Sequence, residues 1–186
     1  MALVYKYDIN DVELMETHSS NNRKILEYLT EFKEANNLTS QDFIVGGSCA
    51  GSYLDCMTLK CVRDIDIIPI DADKELVKTS KIDIIQYPYY TTGFEERAIY
   101  KDGFYFCSFE DLLIQEATAS IVRRKIKHID YTGNLIRFHN ISPEELCSKV
   151  RDALPLMDRI LDTHKEIAIK NLPIIRFRYG GAKCLE

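Results

Sequence analysis

The sequence contains no apolar run close to the roughly 20 residues that a membrane-spanning helix needs, and 28% of its residues are charged. Its first residues, MALVYKYDINDVELMETHSS, lack the basic start and apolar core of a secretory signal peptide. These two absences predict a protein that does not span a membrane and that works in the cytoplasm. No internal repeat, low-complexity tract or linker interrupts the 186 residues, a length that suits one packed domain with a small helical extension.

The spacing of the cysteines also lacks the motifs of a zinc site. No C-x-x-C pair and no matching histidine doublet occurs, so the spacing argues against structural zinc. We therefore expect reduced, partly buried thiols that behave as small apolar side chains. The six cysteines are Cys49, Cys56, Cys61, Cys107, Cys147 and Cys184.

The chain has no overall excess of positive charge, because its net charge is −5. This balance argues against a protein coated in phosphate-binding side chains, although local basic patches remain compatible with it. The clearest patch is RRKIKH at residues 123–128, and the tail after residue 173 is also basic. A solvated helix face is the commoner explanation of such a run, and a nucleic-acid footprint is the alternative.

Hydrophobic periodicity and capping residues predict an α+β fold, with a small mixed sheet and flanking helices. A first helix is expected over residues 21–35, with Ser19 or Ser20 as its cap. A short helix is expected over residues 49–59, and later helices should begin at Ser108 and Ser142, each followed at the third helical position by an acidic residue. Strands are expected over residues 43–45, 64–70, 81–87 and 100–106.

The predicted helices group toward the C-terminus. We expect a first domain over residues 1–140 and a helical extension with a mobile tail over residues 141–186, the two packed as one unit. The helix that begins at Ser108 should run to about His128, and Pro155 should divide the helix that begins at Ser142.

Two carboxylates are the most informative feature of the sequence. In a strand, side chains at positions i and i+2 share a face, so Asp64 and Asp66 of DIDIIPI project together. Like charges so placed repel each other, and two carboxylate oxygen donors suit Mg²⁺. The alternative is an exposed edge strand, or a pair neutralised by Arg63 or Lys81.

A glycine turn precedes this pair. Gly46, Gly47 and Ser48 follow a predicted strand and open a predicted helix, where a backbone without side chains lets a phosphate approach the N–H groups. An ordinary tight turn is the competing interpretation. The segment is neither a GxxxxGK[ST] loop nor a GxGxxG fingerprint.

Together, the glycine turn and the D-x-D strand resemble the signature of polymerase-β-like nucleotidyltransferases. The superfamily includes antibiotic nucleotidyltransferases, RNA-tailing enzymes and toxin or antitoxin nucleotidyltransferases. The resemblance covers about residues 43–130, because FYFCSFEDLLIQEA is similar to the strand-then-helix segment of the toxin-related and lincosamide-modifying branches.

The resemblance implies an enzyme that moves a nucleoside monophosphate from an NTP to an acceptor hydroxyl and releases pyrophosphate. The triphosphate would lie against Gly46, Gly47 and Ser48. Arg63, beside the acidic pair, is a candidate phosphate contact, and a solvated charge is the alternative.

The metal ligands implied are Asp64 and Asp66 for one Mg²⁺. A second Mg²⁺ would be shared with Asp83, which could also act as the general base.

The sequence departs from those branches in one helix. Glu116 stands where they often have a lysine, and their R-x-K-D stretch is echoed only by Arg123, Arg124, Lys127 and Asp130. The acceptor therefore stays open between a small molecule, an RNA 3′ end and a protein.

Two other functions remain: a catalytically silent nucleotide-binding or protein-interaction module, and a metal-dependent nuclease. The nuclease is disfavoured because no E-x-K or histidine motif accompanies the pair.

Overall fold

The computed structural model describes residues 9–55 and 63–179. Six helices and five strands occur there, with two short 3₁₀ turns at Phe94–Arg97 and Leu154–Leu156. The helices are α1 (Ile9–Ala35), α2 (Gly47–Tyr53), α3 (Phe109–Val122), α4 (Ile126–His139), α5 (Pro143–Ala153) and α6 (Asp162–Tyr179). The strands are β1 (Phe43–Gly46), β2 (Ile65–Pro69), β3 (Ile82–Ile84), β4 (Ile99–Lys101) and β5 (Phe104–Phe106). No described helix is long and apolar enough to cross a membrane.

The five strands form one mixed sheet in the order β3-β2-β1-β5-β4. The central strand β1 runs antiparallel to β2 and parallel to β5, while β2 and β3 are parallel to each other. β4 and β5 form an antiparallel hairpin. Helices flank the sheet, so the α+β prediction is confirmed.

Two hydrophobic clusters divide the interior. The first packs α1 and α2 against the sheet and includes Phe32, Phe43 and Ile67. The second is helical and collects side chains of α3 to α6, among them Leu135, Val150 and Ile175. Helix α3 serves both clusters, because Leu112 belongs to the first and Leu113 to the second. The helical cluster thus begins before residue 140, and the division of the chain at that residue stays a prediction.

The predicted caps of α3 and α5 are correct. The Ser108 hydroxyl accepts a hydrogen bond from the Asp111 N–H, and the Ser142 hydroxyl accepts one from the Glu145 N–H. These bonds satisfy N–H groups that a helix start leaves without a backbone partner. α5 ends at Ala153 and a 3₁₀ turn containing Pro155 follows, as expected for proline.

Several predicted boundaries are wrong. α1 begins at Ile9, ahead of Ser19 and Ser20, because the intervening VELME consists largely of good helix formers. The helix expected to reach His128 ends at Val122, where the left-handed Arg124 (φ 54°) starts a break before α4. The predicted tail is helical to Tyr179, with Pro173 inside α6. The helix expected over residues 49–59 begins earlier, at Gly47, and ends at Tyr53. Cys56, Cys61 and Cys184 lie outside the described residues.

A buried carboxylate fixes the start of α3. Asp111 is 2% exposed and accepts hydrogen bonds from both Nε (3.2 Å) and Nη2 (2.7 Å) of Arg97. The Ser108 hydroxyl donates a further bond to it at 2.5 Å. This network joins the segment before β4 to the helix that bridges the two hydrophobic clusters.

We predict that Asp111→Ala lowers the free energy of unfolding by roughly 2 to 4 kcal/mol, because Arg97 and Ser108 lose their shared acceptor. Urea denaturation measures the change. Asp73→Ala, at an exposed position, is the control and should stay within about 0.5 kcal/mol of the parent. Equal effects of the two substitutions would contradict the structural role of Asp111.

Candidate active site

The pairing of β1 with β2 brings the glycine turn to the acidic pair. In the antiparallel register Gly46 lies opposite Asp66, at the end of β1. The chain then turns directly into α2 through Gly47, whose φ of +60° is in the left-handed region that glycine adopts without strain. Residues separated by about twenty positions in the sequence are therefore direct neighbours in the sheet.

Gly47 leaves room for the Asp66 carboxylate. A Cβ atom built on Gly47 would overlap the Asp66 carboxylate group, so a larger residue here would have to displace it. On the neighbouring residue, a Cβ on Gly46 would lie 2.9 Å from the hydroxyl oxygen of the buried Tyr90. A side chain at either position would thus displace a neighbouring side chain, and at Gly47 the left-handed backbone adds strain.

Asp64 lies just before β2 and is exposed, whereas Asp66 lies within β2 and is half-buried. The Cys49 thiol donates a hydrogen bond to the Asp64 carbonyl oxygen at 3.1 Å, which ties the start of β2 to α2. Burial, and then the charges of Asp66 and Asp64, raise the pKa of Cys49 to about 12. The thiol therefore keeps its proton and remains a donor.

Asp66 lies in a strongly unfavourable electrostatic environment for a carboxylate. Burial raises its pKa from the ordinary 3.8 to about 6, and the charges of Asp64, Glu116 and Asp83 add to the increase. Lys127 acts in the opposite direction and lowers that pKa. Negative charge is therefore concentrated at this point of the sheet, and a cation would relieve it.

Asp83 occupies the matching position on the next strand. It pairs with Asp66 in the parallel β2–β3 register, as expected for a third carboxylate of the same site. Its Oδ1 accepts a hydrogen bond from the Lys78 ammonium group at 2.9 Å, and its side chain is 48% exposed. Arg63 and Ser48, the other predicted contacts, are exposed and half-exposed respectively.

The structure does not assemble a complete metal site from these residues. Within residues 9–55 and 63–179, no group of three His, Cys, Asp or Glu side chains is close enough to hold a metal ion. Asp66 lies opposite Gly46 and pairs with Asp83, while Asp64 directly precedes β2 and Asp83 is hydrogen-bonded to Lys78. The backbone thus brings the three predicted ligands to neighbouring positions of β2 and β3.

A buried pair that the sequence did not predict lies behind this site. Glu116 of α3 is 3% exposed, and its Oε2 lies 2.7 Å from Nδ1 of His128, which is 6% exposed. His128 is therefore not part of a solvated basic face. The pair joins α3 to the first turn of α4, which also contains Lys127, whose charge lowers the pKa of Asp66. Its partners are twelve residues apart across a helix break, so no local pattern signals the contact.

Two of the three tyrosines after β3 pack in the interior. Tyr89 and Tyr90 are 1% and 2% exposed, whereas Tyr87 is 52% exposed. Tyr89 and Tyr90 are therefore core residues, and of these three tyrosines Tyr87 alone presents its ring to solvent.

Comparison of the chain with protein-family models, with curated proteins and with solved structures finds no match.

We predict that Gly47→Ala destabilises the protein by roughly 2 to 4 kcal/mol, through left-handed strain and overlap with Asp66. Gly103→Ala is the matched control, since Gly103 has a φ of +91° but nothing within 4 Å of an added Cβ. The control should cost about 1 to 2 kcal/mol. Adding Asp66→Ala to Gly47→Ala should recover the difference in thermal unfolding; strictly additive effects would contradict the overlap.

We predict that Asp66→Asn stabilises the protein above about pH 6 in a buffer without divalent cations. The pKa of Asp66 is higher in the folded than in the unfolded protein. The contribution of Asp66 to the free energy of unfolding is therefore highest below the unfolded pKa and falls as pH rises to about 6. The difference should be on the order of 1 to 3 kcal/mol. Chemical denaturation across pH measures it, and parallel pH profiles of the two proteins would contradict a destabilising Asp66 charge.

Proposed function

We propose that the chain is a magnesium-dependent nucleotidyltransferase of the polymerase-β-like type. The observation that supports this function best is the fit of the Asp66 carboxylate into the space left by Gly47, at the end of a central strand. The glycine turn, which phosphates can approach, is thereby adjacent to the acidic pair. Nucleotide transfer from an NTP needs both a site for the phosphates and a site for the metal ion.

The donor chemistry at this edge fits Mg²⁺. Asp66 has its pKa raised by burial and by neighbouring carboxylates, and Asp64 is exposed beside it. Asp64 and Asp66 would hold the first ion, and Asp83 would contribute to a second after Lys78 releases it. When bound, Mg²⁺ supplies neutralisation of the phosphate charge.

The residues of the chain have distinct tasks in the proposed reaction. The N–H groups of Gly47 and Ser48 at the start of α2, where no side chain caps the helix, would donate hydrogen bonds to the triphosphate. Arg63, exposed beside Asp64, would contact the outer phosphates. The N–H groups of the glycine turn and the Arg63 guanidinium would together hold the NTP with its α-phosphorus facing the acceptor.

Transfer then exchanges one bond for another. The acceptor oxygen bonds to the α-phosphorus, while the bond from that phosphorus to the bridging oxygen of pyrophosphate breaks. Asp83 takes the acceptor proton as general base. The products are a nucleotidylated acceptor and pyrophosphate. The proposed compartment is the cytoplasm, where thiols such as the buried Cys49, Cys107 and Cys147 stay reduced.

A second candidate keeps the fold and lacks turnover. It is a nucleotide-binding or protein-interaction module, and the Lys78–Asp83 ion pair favours it because that pair occupies the third carboxylate. Lys78→Ala separates the two functions. If Asp83 is catalytic, the variant should transfer nucleotide at the parent rate or faster. If the module is silent, the variant should bind NTP as the parent does and transfer none.

The test of activity is transfer of label from each α-labelled NTP, with Mg²⁺, to small hydroxyl compounds, RNA or protein. We predict that Asp66→Asn and Asp64→Asn each reduce transfer by at least about 100-fold, because removing a metal ligand removes charge stabilisation of the transition state. Asp71→Asn, an exposed aspartate just after β2, should leave transfer unchanged. Magnesium-dependent NTP binding without transfer would favour the silent module, and absence of NTP binding would contradict both.

A further inference from the structure

The segment that joins β2 to β3 carries a cation that contacts a proposed metal ligand. It covers residues 70–81, is largely exposed, and contains neither helix nor strand. The Nζ atom of Lys78, near the end of this connecting segment, lies 2.9 Å from Oδ1 of Asp83. Asp83 in turn pairs with Asp66 in the β2–β3 register. The chain itself thus supplies a positive charge at the carboxylate that the proposed function assigns to a second Mg²⁺.

A tight reversal of the backbone brings Lys78 back to Asp83. The Ile82 N–H donates a hydrogen bond to the Thr79 carbonyl oxygen at 3.4 Å, which closes a turn between the two charged residues. Lys81, within this turn, has a left-handed φ of +67°. The ion pair therefore follows from the path of the backbone into β3.

The Asn36 side chain holds the backbone immediately before Lys78. Its Oδ1 accepts a hydrogen bond from the Val77 N–H at 2.6 Å, and its Nδ2 donates one to the Val77 carbonyl oxygen at 3.0 Å. The same Nδ2 donates to the Phe32 carbonyl oxygen of α1 at 3.0 Å. A side-chain amide has both a donor and an acceptor, so it satisfies both backbone groups of Val77 at once. The connecting segment is thereby fastened to the end of α1.

Two further contacts fasten the earlier part of the connecting segment. The Lys74 Nζ lies 3.6 Å from Oδ1 of Asp42, and Leu76 packs against the hydrophobic cluster of the sheet. Because the backbone is held on this side, the Lys78 ammonium group stays within reach of Asp83 even when the two separate. It therefore acts on that carboxylate at a high effective concentration, as a tethered ligand does.

Solvent exposure makes the Lys78–Asp83 ion pair easy to exchange. The two side chains are 63% and 48% exposed, and ion pairs at that exposure contribute little net stability. A divalent cation carries twice the charge of an ammonium group, and Mg²⁺ takes carboxylate oxygens as ligands. A metal ion therefore competes with Lys78 for Asp83 and can displace it.

We propose that Lys78 is an internal competitor of the second metal ion, held in place by the Asn36 side chain. Its ammonium group neutralises Asp83 in the metal-free protein and has to leave this carboxylate before a divalent cation binds there. The contact thus lowers the affinity of the site for metal. This inference rests on the proposed function, because that function makes Asp83 a metal ligand.

Binding of Mn²⁺ to the full chain without nucleotide tests the competition, with the free ion measured by electron paramagnetic resonance. Lys78→Met should tighten Mn²⁺ binding roughly 2- to 5-fold, because loss of an exposed ion pair frees Asp83. Lys78→Arg should keep the parent affinity, since a guanidinium group also pairs with a carboxylate. Lys74→Met removes the same charge from the same segment, where the lysine contacts Asp42, and should also keep the parent affinity.

Two more variants connect the change in affinity to the contacts. In an Asp83→Asn background, Lys78→Met should no longer change Mn²⁺ affinity, because the shared carboxylate is gone. Asn36→Ala should tighten binding by a smaller factor than Lys78→Met, because the ammonium group keeps its charge but loses its fixed position. Circular dichroism checks that each variant is folded.

Several results would overturn the inference. They are parent Mn²⁺ affinity of Lys78→Met, an equal gain in Lys74→Met, or a gain from Lys78→Met that persists with Asp83→Asn. Absence of Mn²⁺ binding in every variant would overturn it together with the proposed metal site. Nucleotide transfer by a protein whose Lys78→Met variant keeps the parent affinity would contradict the competition alone. The predicted affinities without transfer from any NTP would support the competition and contradict the catalytic function.

Discussion

The contact between Gly47 and Asp66 is the constraint on which the arrangement of the site depends. Antiparallel pairing of β1 with β2 places Gly46 opposite Asp66. The Asp66 carboxylate occupies the space that a side chain on the next residue, Gly47, would take. The ionised form of Asp66 is disfavoured, because burial and neighbouring acidic residues raise its pKa. Such an arrangement lowers the free energy of unfolding, which is why we propose that a cation and the phosphates of an NTP compensate the charge.

A buried side-chain pair fixes the junction of the helices α3 and α4. α3 connects the sheet cluster to the helical cluster, and its Glu116 holds His128 at the start of α4. The charge of Lys127 in that turn lowers the pKa of Asp66, and Arg124 of the break donates a hydrogen bond to Asn171 of α6. The sheet strands thus carry the acidic groups of the candidate site, and the helices fix the positions of the neighbouring cations.

Local patterns in the sequence predict most of the elements but fewer of the contacts. Caps at Ser108 and Ser142 are readable because a hydroxyl and an N–H three residues apart must meet at a helix start. The break after Val122 is not readable, since arginine and lysine are good helix formers and the left-handed Arg124 depends on tertiary contacts. Strand alternation predicts that Asp64 and Asp66 share a face, but β2 begins only at Ile65, so this stays a prediction. The burial of His128 against Glu116 depends on packing across the helix break and has no local signal.

We propose that a divalent cation binds between the acidic pair and the glycine turn. Crystals grown with Mn²⁺ and a non-hydrolysable NTP analogue would test this site by anomalous scattering. We expect a manganese peak in contact with Asp64 and Asp66, with the triphosphate against Gly47 and Ser48. Ordered nucleotide at another surface, or no manganese at these two carboxylates under saturating conditions, would contradict it.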